Sequence, residues 1–112
     1  MTAHAPVYLQ IRAVLTAAIL EGRFRDGDPM PSVRALACQH RANPLTVAKA
    51  YQILQEEGVV VVRRGVGMFV ASGACSRLRK AERRIFLEER WPAILSDIRR
   101  LDLDPAELLE TD

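Results

Sequence analysis

The sequence predicts a mostly helical α+β fold in which three helices, one small β-hairpin and a short helical tail follow in order. Three observations predict it. Two helix-start signatures, "PSVR" and "NPLT", lie close together after an amphipathic opening. The run "VVVVRRGVGMFV" places β-branched residues before and within a glycine pair, and from Cys75 onward apolar residues recur at helical spacing among charges. At 112 residues the chain holds one domain, or a small domain with an appendage, because a single core needs on the order of 100 residues.

The opening "PVYLQIRAVLTAAILEG" sets Tyr8, Ile11, Leu15, Ala18 and Ile19 at helical spacing. Pro6 is tolerated in a first turn, and Gly22 suits the left-handed position past the last one. "RFRDGDPMP" gathers a glycine, two aspartates and two prolines into nine residues, which is loop chemistry. It ends at Ser32, an N-cap for a short second helix, "SVRALACQH", that turns Val33, Leu36 and Ala37 inward. After "RAN", Asn43 caps and Pro44 takes the first position of a third helix, with Val47, Ala50, Tyr51 and Leu54 inward and Gly58 as its stop. Helix, tight turn, helix is the expected arrangement.

Residues 59–70 are expected to form two short strands joined by a glycine turn. "ASGA" is a small-residue joint. The tail then carries Leu78, Ile85 and Phe86 on one helical segment and Trp91, Ile94, Leu95, Ile98 and Leu101 on the next. Pro92 is expected to separate or kink the two. "DPAELLE" starts a last turn, with Asp104 as cap and Pro105 in first position. A division into residues 1–72 and residues 73–112 follows.

Composition narrows the function classes. Net charge is only +2, but residues 1–70 hold eight Lys and Arg against five Asp and Glu, so the first part is the natural partner of a polyanion. The apolar run at residues 14–20 is about a third of a membrane span. It leads into "EGRFR" without a small-residue cleavage pattern, so no signal peptide and no membrane partner are expected and the protein is read as cytoplasmic. Cys38 and Cys75 fit neither a zinc spacing nor a disulfide framework, and His40 beside them does not complete a metal set. No Ser/His/Asp set and no paired carboxylates in an apolar context point to catalysis, so neither an enzyme nor a cofactor is expected.

Three helices and a hairpin make a winged helix-turn-helix. A helix fits the major groove of duplex DNA with its N-terminal residues toward base edges, while a hairpin reaches along the backbone. On that geometry the helix from Pro44 is the reader, and Arg63 and Arg64 sit at the wing tip. A glycine loop that bound a free nucleotide would open a helix, whereas "RRGVG" is followed by "MFV", a second strand.

Residues 6–70 resemble the N-terminal DNA-binding domain of GntR-type bacterial transcriptional regulators. The pieces come in that family's order: "PVY.QI", "G....GD.MPSVR.LA", "NP.TV..AY..L...G" and "RRGVG.FV". The tail, "WPAILSDIRRLDLDPAELLE" with the helix before it, is similar to the YtrA-type branch, whose short helical C-terminal region implies homodimerisation, here expected on a self-association stripe of Leu78, Ile85, Phe86, Trp91, Ile94, Leu95, Ile98 and Leu101. Many members of that branch repress operons encoding ABC-type transport systems. The resemblance implies a double-stranded operator as partner and assigns DNA contact to Arg34, Thr46, Arg64 and Gly65. Ser32, Arg41, Asn43, Pro44, Leu45, Lys49 and Arg63 complete the expected interface. Leu45 stands where the family is usually polar, and Met68 where a hydroxyl residue is usual. About 38 helical residues enclose no drug-sized pocket of roughly 300 Å³, so any small-molecule effector stays unidentified. The rival reading is a winged-helix protein-interaction module without specific DNA binding.

Overall fold

The computed structural model describes residues 5–110. Helix α1 (Val7–Leu20) is followed by α2 (Val33–His40), α3 (Pro44–Glu56), β1 (Val60–Arg63), β2 (Gly67–Val70), α4 (Ala74–Ile85), a π-helical turn (Phe86–Arg90), α5 (Trp91–Arg100) and α6 (Pro105–Leu109). The starts of α2, α3 and α6 follow their sequence signals. The Ser32 hydroxyl accepts from Ala35 N at 3.0 Å, Asn43 Oδ1 from Leu45 N at 2.8 Å, and Asp104 Oδ1 from Ala106 N at 3.0 Å. These caps satisfy backbone donors that a helix leaves orphaned.

The chain divides into two compact units between Leu78 and Arg79. In the first, Ile11, Leu15 and Ile19 of α1 pack with Leu36 and Ala37 of α2 and with Val47, Ala50, Tyr51 and Leu54 of α3. Val60 and Val70 of the hairpin close the same core. Burying an aliphatic side chain contributes about 1.5–3 kcal/mol, so this shared core orients the three helices and the wing together. A bidentate ion pair from Arg12 to Glu57, at 3.0 and 2.6 Å, ties α1 to the end of α3.

The hairpin pairs antiparallel, Val60 with Val70 and Arg63 with Gly67. The segment before α2, expected only as loop, also pairs with β2. Pro29 forms a bridge with Phe69; Gly27 N donates to Val70 O at 2.8 Å, Val70 N to Asp28 O at 2.9 Å, and Met30 N to Met68 O at 2.8 Å. Strand β2 is therefore held on both edges.

The unit boundary lies past residue 72 because the first turn of α4 belongs to the winged core. Gly73 N donates to Asp26 at 2.7 Å, and the Arg77 guanidinium donates to Gly58 O at 2.6 Å and Ser72 O at 3.0 Å. Ala74 and Leu78, one turn apart, are buried. Leu78, expected on a self-association stripe, is therefore a core residue, and that expectation is corrected.

In the second unit the segments on either side of Pro92 are not separated. The backbone stays helical through Ile85, Arg90 and Trp91, and the Phe86–Arg90 turn widens to π geometry just ahead of Pro92. A proline lacks the N–H for the bond one turn back, and a π turn absorbs that loss without ending the helix. The Phe86 and Trp91 rings lie 6.2 Å apart. No described helix is long and apolar enough to cross a membrane.

Candidate nucleic-acid interface

The site is assembled from three short segments. The first is the start of α2. Ser32 is extended (φ −68°, ψ 159°) and its hydroxyl is spent on the cap. Arg34 lies in the first turn, exposed. A surface ion pair with Asp26 or Asp28 would have been its ordinary use, but those carboxylates accept from Gly73 N and Arg25 N instead.

The second segment is the turn and the start of α3. Arg41 ends α2 in the left-handed region (φ 52°, ψ 42°), and Ala42 N donates back to Ala37 O at 2.9 Å, which closes the helix end. Asn43 caps and Pro44 opens α3. Leu45 then projects 79% exposed, while Thr46 is half-buried. Lys49, one turn on, places its ammonium 4.1 Å from the Tyr8 ring centroid, so α1 supplies an aromatic seat for a cation of α3.

The third segment is the wing. Val66 N donates to Arg63 O at 2.9 Å across Arg64 and Gly65, and Gly65 takes φ +78°, a conformation that other residues adopt at a cost. Arg64 and Gly65 are exposed at the tip, as expected. The Arg63 guanidinium lies 4.8 Å from the Phe69 ring centroid. Between the wing and the start of α2 runs an open cleft of ≈ 680 Å³, bordered by Met30, Ser32, Val33, Val62, Arg64 and Met68. The structure thus gathers Ser32, Arg63, Arg64 and Gly65 around one cleft. Arg34, Arg41, Leu45, Thr46 and Lys49 line no part of it and belong to the α2–turn–α3 segment.

Among the described residues, the side chains of Arg34, Arg41 and Arg64 have no ion-pair or hydrogen-bond partner. Three such cations and a capped helix start offer donors to phosphate. No group of three described His, Cys, Asp or Glu residues is placed to hold a metal ion. Tyr51 supports the unit from behind: its hydroxyl donates to Pro31 O at 2.6 Å, and burial pushes its phenol up to about 12. The aromatic seats, Tyr8 and Phe69, were not foreseen from the sequence. Alternation within "RRGVGMF" puts residues 63, 67 and 69 on one face and was the available signal for the second; nothing local signalled the first.

Residues 7–70 match the profile described as bacterial regulatory proteins, gntR family. The HTH-type transcriptional repressor YtrA of Bacillus subtilis is 37% identical over 84 residues, a match that covers 75% of this chain and 65% of that protein, just under two thirds of its length. The HTH-type transcriptional regulator YhcF of the same organism is 33% identical over 107 residues, covering 94% of this chain and 85% of its own. Among solved structures, a GntR family transcriptional regulator from Listeria monocytogenes superposes with a TM-score of 0.76 over 97% of this chain and 94% of its own, at 24% identity, a likeness of fold. The DNA-binding domain of AraR, solved in complex with operator ORR3, superposes with a TM-score of 0.60 at 25% identity over 63% of this chain and 86% of its own.

Proposed function

The chain belongs to the GntR family of bacterial regulatory proteins, and from that membership we propose that it is a cytoplasmic, homodimeric repressor that binds a pseudo-palindromic operator. The observation that carries this reading is the set of exposed, unpartnered arginines, Arg34, Arg41 and Arg64, on the helix-turn-helix and its wing. The name of the repressor YtrA and the operator bound by the AraR domain support it.

In the proposed complex α3 enters the major groove with Leu45 and Thr46 toward the base edges, and Arg34 approaches from the start of α2. The wing arginines meet the backbone, and Arg41, Lys49 and the N-terminal end of α2 at Ser32 add phosphate contacts. Two copies joined through the helical tail place their reader helices about one helical turn of DNA apart. The regulated operon, its own or one encoding an ABC-type transporter, is part of the proposal. Footprinting on the DNA upstream of its own gene tests it: two protected half-sites are expected, and protection no different from random DNA would count against the reading.

A further inference from the structure

Two adjacent arginines at the wing are not equivalent. Arg64 lies in the turn and has no hydrogen-bond, ion-pair or ring partner among the described residues, whereas Arg63 is seated on a ring. Strand pairing explains the seat. Arg63 stands opposite Gly67 and Val61 opposite Phe69, so Arg63 and Phe69 are diagonal neighbours on one face of the hairpin. Gly67 leaves that face bare between them, with no atom within 4 Å of where a Cβ would lie. The Arg63 guanidinium carbon comes to 4.8 Å from the ring centroid. The ring itself is anchored, because β2 is bonded to β1 on one edge and to the Gly27–Met30 segment on the other.

Stacking engages only the face of a guanidinium. Its N–H donors lie in the plane and stay available for a bidentate contact with phosphate. We propose that Phe69 is a positioning residue that presents Arg63 to a phosphate of the DNA backbone. The proposal rests on the DNA-binding reading above. It assigns the wing two kinds of arginine, one held in place before binding and one that becomes ordered on the duplex.

A double-mutant cycle in the full chain tests it, using Arg63→Ala, Phe69→Leu and the pair, titrated on a random duplex and on the upstream fragment across a range of salt. Phe69→Leu is expected to weaken binding to both duplexes roughly two- to five-fold and to shift the salt dependence toward that of Arg63→Ala. It should cost nothing further once Arg63 is alanine. Phe69→Tyr should restore binding, and Phe69→Met serves as a second ring-free variant should leucine unfold the wing. Without DNA, the Arg63 side-chain protons should show a ring-current shift that the ring-free variants lose. Equal losses in the presence and absence of Arg63 would assign Phe69 a purely structural role and overturn the proposal alone. Wild-type protein that bound neither duplex would overturn the DNA reading and the proposal with it.

Discussion

Arg41 occupies a backbone conformation that glycine adopts more readily, at φ 52° and the C-terminal end of α2. A left-handed L-residue costs about 1–2 kcal/mol, and a glycine there loses part of that advantage through its greater freedom when unfolded. The proposed function accounts for the arginine by a phosphate contact from an exposed side chain. Arg41→Gly is therefore expected to move stability and affinity in opposite directions. Thermal unfolding should show a gain of roughly 0.5–1 kcal/mol, while duplex binding weakens and the salt exponent falls by about one. Unchanged affinity would remove Arg41 from the interface.

At the scale of elements, the angle between α2 and α3 depends on a bond the helices do not make within themselves. Tyr51 of α3 donates to the carbonyl of Pro31, just ahead of the Ser32 cap. Tyr51→Phe leaves that carbonyl without its donor, and a loss of about 1–2 kcal/mol in denaturant unfolding is expected. The phenol also sets a pH window. Its folded value is raised from 10.0 to about 12 by burial, so the unfolded chain gives up the proton first as pH rises. The contribution is whole below pH 10 and fades as pH climbs through 12; Tyr51→Phe should remove this alkaline component.

The same elements show how much the sequence carried. Ser32, the Asn43–Pro44 pair and the Asp104–Pro105 pair marked helix starts because capping is local chemistry, and Gly65 marked the wing turn for the same reason. The α2–turn–α3 segment and the wing tip of the candidate site were legible on those grounds. The pairing of Pro29 with Phe69 was not, because it joins residues forty positions apart in a segment whose composition reads as loop. The π turn also escaped, since Pro92 exerts its effect in the turn before it. Leu78 carries helical spacing like its neighbours in the tail, and tertiary bonds of its turn to Asp26, Gly58 and Ile19 bring it onto the winged core. The ring beside Lys49 depends on helix packing that no local pattern encodes, whereas strand alternation within "RRGVGMF" already sets Phe69 on the face of Arg63.

At the scale of the molecule, the two units differ in how well they bury themselves. The first has a full core. In the second, none of the described residues 79–110 is buried: Ile85, Phe86, Trp91, Leu95 and Ile98 are half-buried, Ile94 is 39% exposed and Leu101 60%. So short a helical stretch gains little from its own surface burial, and exposed apolar faces of this kind mark association sites. A self-association face built on Ile94 and Leu101 agrees with the proposed dimer. Ile94→Asp combined with Leu101→Asp should halve the mass seen by light scattering and weaken operator binding roughly 100-fold or more through lost avidity. A dimer that survived both charges would place the interface elsewhere. Whether the chain reads a specific operator is decided by equilibrium titration of the full protein on the duplex upstream of its gene and on a random duplex at ~0.15 M salt. The upstream duplex is expected to bind tighter by on the order of a thousand-fold or more; equal affinities would rule out operator-specific binding.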